Sequence, residues 1–155
     1  MKQHILVISL ALTTACYGTM ERHPGVKASP LNKEVVALLD AYQAAMTSKN
    51  AEALGELVTA DFTENMGTAD TSDDWVGRDE VIRRAKNRFS KIDELHMNLQ
   101  LKEVVSVNDT LRARYAVQMR FRYNMPAGDG WERLDDVEEF VLVRRDGKLL
   151  IHSGL

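Results

Sequence analysis

The sequence predicts an α+β fold in which helices come first and long antiparallel strands follow. In the first half, apolar residues recur at spacings of three and four, which is the period of an amphipathic helix. After about residue 92 the period changes to two, as a strand with one buried face requires. Short turn-forming segments separate these later runs. We therefore expect three N-terminal helices that cover one face of an antiparallel sheet.

Length and composition limit the class of protein. With 155 residues, 45% hydrophobic and 28% charged, the chain has room for one soluble domain. Its net charge of −3, without a basic stripe, argues against a nucleic-acid partner. The common catalytic and metal-binding sequence motifs are missing, so we expect no cofactor and no metal.

The first fifteen residues predict a secretion signal. A basic start at Lys2 is followed by the apolar run 5–12 (ILVISLAL) and then by small residues. Eight apolar residues are too few to cross a bilayer as a helix, which needs about 20. We therefore expect residues 1–15 to be removed during export.

A single cysteine, Cys16, follows this signal directly, and so excludes an intrachain disulfide. The segment 13–16 (TTAC) resembles the lipobox of bacterial lipoproteins, although Thr13 stands where leucine is usual. That resemblance implies acylation of Cys16 and anchoring in the cell envelope, at the outer membrane where the organism has one. The alternative is ordinary cleavage that leaves a free thiol. Residues 16–28 lack periodicity and are predicted to be the lipidated cysteine and a tether.

The predicted domain covers residues 29–155 and begins with a capped helix. Ser29 can accept a hydrogen bond from a free N–H group, and Pro30 suits the first turn. An apolar stripe then continues to about Ser48. Its members are Leu31, Val35, Leu38, Leu39, Tyr42, Ala45 and Met46.

Two further helices and four strands complete the predicted order. Asn50 can cap a short second helix, and a third helix begins near Asp79. Strict alternation from Leu111 to Tyr123 is the strongest strand pattern in the chain, and it places Val117 inside and Arg120 outside. The other predicted strands cover residues 95–101, 131–143 and 149–151.

The loop between the two longest strands, 124–130, sets their pairing. A hairpin centred near Ala127 would pair Arg122 with Glu132 and Gln118 with Asp136. Arginines then alternate along the outer face with acidic neighbours. This face is interpreted either as a solvated surface or as a dimer interface.

Several short segments, together with the order of elements, resemble the nuclear transport factor 2-like superfamily. They are Tyr42, NAEAL at 50–54, ADF at 60–62, GRDEVI at 77–82 and RDGK at 145–148. The superfamily includes SnoaL-type polyketide cyclases and ketosteroid isomerases. The resemblance implies a cone, in which helices wrap a curved sheet around an apolar pocket, and often a homodimer.

The isomerases of this superfamily suggest the residues of a site. Their helix-1 tyrosine falls on Tyr42, and their catalytic base falls on Met66, whose thioether cannot accept a proton. A second acid falls near Glu139, with Asp135 as the other candidate. A carboxyl buried there would have a raised pKa and could donate a hydrogen bond. The simpler alternatives are that Tyr42 is a core residue with a satisfied hydroxyl and that Glu139 pairs with an arginine.

The expected function is binding of a small apolar or amphipathic ligand, or of a protein partner, without catalysis. The expected pocket residues are Tyr42, Met66, Tyr115, Val117, Met119 and Glu139. The alternative is a SnoaL- or isomerase-type enzyme (isomerase, cyclase or dehydratase) that uses Tyr42 with Glu139 or Asp135 and an unidentified base. A third possibility is a structural subunit with a filled pocket. A carboxylate or histidine at the pocket centre would favour the enzyme.

Overall fold

The computed structural model describes residues 19–65, 74–124 and 130–155. Within these ranges there are three helices, α1 (Pro30–Thr47), α2 (Ala51–Gly55) and α3 (Arg78–Phe89). The strands are β1 (Thr19–Met20), β2 (His23–Lys27), β3 (Thr63–Glu64), β4 (Trp75–Val76), β5 (Ile92–Val107), β6 (Thr110–Tyr123), β7 (Trp131–Arg145) and β8 (Lys148–Ser153). The predicted signal and Cys16 lie outside the described residues. None of the described helices is long and apolar enough to span a membrane.

The main sheet is antiparallel, with the strand order β5-β6-β7-β8. Each neighbouring pair is consecutive in the chain, so short turns suffice to connect them. Helix α1 packs on β5 and β8, and α3 packs on α2 and β5. The α+β class and the antiparallel sheet are confirmed.

Helix α1 begins and ends close to the predicted residues. The Ser29 hydroxyl accepts a hydrogen bond from the Asn32 N–H at 3.1 Å, and Pro30 occupies the first turn. The buried residues of this helix form one stripe. They are Val35, Val36, Leu38, Leu39, Tyr42, Ala45 and Met46.

Two short strands that were not predicted interrupt the series of helices. Strands β3 and β4 lie between α2 and α3 and pair with each other, Thr63 with Val76 and Glu64 with Trp75. Strands of two residues are too short to show a period, so alternation could not reveal them.

Residues 19–27, within the predicted tether, instead form the hairpin β1–β2 against the edge of β5. His23 and Val26 are 3% and 4% exposed. The His23 Nδ1 accepts a hydrogen bond from the Leu101 N–H at 3.1 Å. Gln43 of α1 accepts one from the Leu99 N–H at 3.0 Å. These two side chains satisfy edge groups of β5 that would otherwise be open to another strand.

The register between β6 and β7 differs by one residue from the predicted one. Arg122 lies opposite Trp131, and Gln118 lies opposite Asp135. The inner face of β6 is as predicted, since Val117 is 2% exposed and Arg120 is exposed. The predicted inner face of β7 is wrong, because a one-residue shift moves each side chain to the other face.

The inner face of the sheet and the helices that cover it form the core. Its most deeply buried sheet residues include Leu101, Ala113, Tyr115, Phe140, Leu142 and Ile151. On β7 the alternate residues point away from the helices, and Val137 is 50% exposed. We call this opposite side of the sheet the outer face.

Candidate functional site

The interior of the domain contains an apolar cavity of about 120 Å³, which we call the inner cavity. It is lined by Tyr42, Met46, Leu54, Arg84, Ala85, Arg88, Phe89 and Leu155. A smaller cavity of about 30 Å³ lies beside it. Its lining consists of Met46, Arg88, Ile92, Leu95, Met119, Phe121 and Tyr123. The two cavities share Met46 and Arg88 and are therefore adjacent.

Among the described residues that line the inner cavity, Tyr42 is the one that carries a hydroxyl group. It lies on the buried stripe of α1, with its ring edge-to-face against Phe140 at 5.1 Å. Burial raises the pKa of Tyr42, the charge of Glu138 raises it further, and Arg88 opposes the change. No hydrogen bond from another described residue reaches this hydroxyl. It therefore stays protonated and can donate a hydrogen bond to a ligand.

On the sheet near Tyr42, Tyr115 and Glu138 form a hydrogen-bonded pair. The Tyr115 hydroxyl donates to the Glu138 Oε2 at 3.0 Å, and the two residues lie opposite each other on β6 and β7. Burial raises the pKa of Tyr115, and the neighbouring Tyr42 and Glu138 add to this effect. Glu138 was missed in the sequence. Glu138 is two residues from Phe140, and residues two apart on a strand share one face, so an inward-facing Phe140 would have placed Glu138 inside.

The two predicted acids lie elsewhere. Glu139 is on the outer face, where its Oε1 lies 3.0 Å from the Arg112 Nη1, so the prediction that it lines the pocket is wrong. Asp135 is also on the outer face and pairs with Arg133, whose hydrogen bond lowers the pKa of Asp135. The alternative in which Glu139 pairs with an arginine describes the structure.

The other predicted pocket residues divide into three groups. Met119 lines the smaller cavity. Tyr115 and Val117 are buried in the sheet, at 0% and 2% exposed, and line neither cavity. Met66 lies outside the described residues. Among the residues that are described, no cluster of histidine, cysteine or acidic side chains could hold a metal ion.

The rim of the cavity is basic. An open groove of about 400 Å³ beside α3 is lined by Arg83, Arg84, Asn87, Arg88, Lys91 and Tyr123. We call this the basic groove. Glu80 binds Arg83 at 2.6 Å and Arg84 at 2.5 Å, and their hydrogen bonds lower the pKa of Glu80 to about 2. Arg88 and Lys91 form no ion pair with any described residue.

Comparison with known proteins gives one family and many similar folds. A family profile described as a SnoaL-like domain matches residues 39–152. No curated protein sequence matches the chain.

Three solved structures illustrate the likeness of fold. A ketosteroid isomerase-like protein from Erwinia carotovora atroseptica is 21% identical, with a TM-score of 0.65 over 79% of this chain and 91% of the other. A provisionally assigned scytalone dehydratase from Novosphingobium aromaticivorans is 15% identical, with a TM-score of 0.67 over 80% of each chain. A provisionally assigned dehydratase of the NTF2-like family from Streptomyces avermitilis is 16% identical, with a TM-score of 0.64 over 79% and 92%. At these identities the likeness shows the fold alone.

Proposed function

Because the chain belongs to the SnoaL-like domain family and has the nuclear transport factor 2-like fold, we propose that it binds a small, largely apolar ligand in the inner cavity without catalysis. The observation that carries this proposal is the lining of the cavity. Among the described residues that line it, none has a carboxylate or imidazole side chain that could serve as a base. Most of the lining is aliphatic, aromatic or thioether, which suits apolar ligands.

The volume of the inner cavity limits the size of the buried group. An apolar cavity of about 150 Å³ in another protein stays dry and binds benzene. At about 120 Å³, the inner cavity therefore suits one aromatic ring or a short branched chain. The protonated Tyr42 hydroxyl would orient a ligand that carries an acceptor.

An enzymatic function is the second candidate, and the pair of Tyr115 and Glu138 is the observation that favours it. In an enzyme of this kind, Glu138 near Tyr42 would be the second acid of the site, the role that the sequence predicted for Glu139. We favour binding, because the Glu138 carboxylate already accepts a hydrogen bond and does not line the inner cavity.

A direct test of binding uses 3-phenylpropan-1-ol, a neutral probe with one ring, and calorimetric titration. Ala85 lines the inner cavity at 6% exposed, so Ala85→Leu fills part of the space. We expect this change to weaken binding at least about tenfold while thermal stability is kept, since filling a cavity restores van der Waals contacts. Ala116→Leu, the same change on the outer face, is the control and should bind like wild type.

If wild type does not bind the probe, the binding proposal is wrong. The enzymatic candidate is tested by NMR, through exchange of the protons beside the carbonyl of 4-phenylbutan-2-one in heavy water. Exchange that wild type accelerates and Glu138→Gln does not would establish proton transfer and replace the binding proposal.

We also propose, from the sequence patterns, that the protein is exported, anchored through Cys16 and homodimeric. Support for a dimer comes from the outer face, where Val105, Val137 and Trp131 are exposed large apolar residues. Val137→Arg should then shift a dimer to monomer in analytical ultracentrifugation. A wild-type monomer would contradict this part of the proposal.

A further inference from the structure

The charges around the inner cavity are distributed unevenly. Helix α3 and the turn that follows it bring four basic side chains of the segment 83–91 to the basic groove, and Glu80 pairs with two of them. Lys86, on the same helix, points to Glu52 at 2.6 Å and lines neither cavity nor groove. The positive charge left without a protein partner among the described residues is that of Arg88 and Lys91.

Arg88 lies where apolar and polar spaces meet. It lines the inner cavity, the smaller cavity beside it and the basic groove. Its charge acts on Tyr42, since it opposes the rise in the pKa of that hydroxyl. Arg88 of α3 and Tyr42 of α1 therefore carry two donor groups on residues that line the same cavity.

A negative charge lies near Tyr42, away from Arg88 in the sheet. Glu138 is bonded to Tyr115 on the sheet, and its charge raises the pKa of both Tyr42 and Tyr115. An anionic group would be repelled by Glu138 and attracted by Arg88. A guanidinium group matches the geometry of a carboxylate, with which it forms paired hydrogen bonds.

We propose that the ligand is a small amphiphile with one carboxylate, which binds Arg88 at the rim while its apolar group fills the inner cavity. This inference rests on the proposed binding function and adds the charge and the orientation of the ligand. The basic groove is open, so water would still reach both the carboxylate of the ligand and the Arg88 guanidinium.

Two probes with the same apolar group test the proposal: 3-phenylpropionate and 3-phenylpropan-1-ol. Both are titrated into the full chain at low and at high ionic strength. We expect wild type to bind the acid about fivefold more tightly than the alcohol at low ionic strength, as partly exposed charge pairs allow. The difference should shrink with added salt, because salt screens exposed charges.

Arg88→Gln should remove the preference for the acid, so that this variant binds the acid no more tightly than it binds the alcohol, because its uncharged amide cannot pair with a carboxylate. Lys86→Gln removes one positive charge from the same helix and should keep the preference, which controls for the overall charge of the protein. Equal affinity of wild type for the two probes would overturn the proposed charge recognition and leave the binding function standing. If the preference persists in Arg88→Gln, the assignment of Arg88 is wrong. If neither probe binds wild type, the binding function and this inference both fail.

Discussion

At the scale of single residues, two neighbouring glutamates have opposite environments. Glu138 faces inward and accepts a hydrogen bond from the buried Tyr115, whereas Glu139 faces outward and pairs with the exposed Arg112. A buried hydroxyl that loses its partner costs about 1–3 kcal/mol. An exposed ion pair contributes about 0–1 kcal/mol.

We therefore predict that Glu138→Ala lowers the free energy of unfolding by about 1–3 kcal/mol, while Glu139→Ala lowers it by less than about 1 kcal/mol. Urea unfolding followed by circular dichroism measures both. Each variant is the matched control for the other, since they differ by one position on the same strand. A larger loss for Glu139→Ala would mean that the register of β7 is wrong.

At the scale of elements, the attachment of the β1–β2 hairpin depends on a neutral histidine. His23 is buried, and its Nδ1 accepts the hydrogen bond from Leu101, which a protonated ring cannot do. Burial lowers the pKa of His23 below its ordinary value of 6.5, Arg22 lowers it further and Asp40 opposes the change. Among the described residues the Nε2 has no hydrogen-bond partner.

The sign of the pH dependence follows from this lowered pKa. Released His23 takes up a proton near pH 6.5, whereas docked His23 does so only at lower pH. The hairpin is therefore most stably docked above pH 6.5, and this stability decreases as the pH falls towards the lowered pKa. We predict faster amide hydrogen exchange of β2 at mildly acidic pH, after correction for the intrinsic exchange rate.

His23→Gln should abolish this pH dependence, because glutamine can accept the hydrogen bond but does not titrate. His96→Gln changes an exposed histidine and should leave the dependence intact. If the exchange of β2 still becomes faster at acidic pH in His23→Gln, a group other than His23 causes the pH dependence.

The sequence predicted most of the elements and misplaced part of the site, for physical reasons. Helix α1 and the inner face of β6 were predictable because many side chains share one period, so no single residue decides the assignment. Strand β7 was ambiguous, since Glu138 alternates with Phe140 while Glu139 alternates with Val137. The predicted pairing placed Glu132 opposite Arg122, whereas Trp131 lies there. This one-residue error turned Glu139 inward and Glu138 outward, so it supported the wrong choice of the inner face of β7.

The basic groove and the hairpin could not be predicted in the same way. Arg88 looks like any solvated residue of a polar helix face until the fold brings α3 beside α1 and the end of β6. The hairpin contains Pro24 and Gly25, which read as loop residues. Its stability depends on contacts with β5, which is distant in the sequence.

At the scale of the whole molecule, the predicted lipid anchor depends on one residue, Cys16. If the protein is exported and acylated, Cys16→Ser should move it from the membrane fraction to the soluble fraction. Two acyl chains give a stable anchor, and the serine variant carries none. Metabolic labelling with a fatty acid identifies the modified species. Cys16→Ala should behave like Cys16→Ser, and wild type that takes up no label would contradict the lipoprotein prediction.

The hairpin at residues 19–27 also limits how far an anchored domain could reach from the bilayer. A tether that continued from Cys16 to residue 28 would span at most about 43 Å, whereas the chain from Cys16 to Thr19 spans at most about 11 Å. With Cys16 acylated, the domain would therefore stay close to the lipid headgroups and tumble little about its attachment point. Its cavity would then sample molecules at the bilayer surface more often than molecules in the bulk compartment.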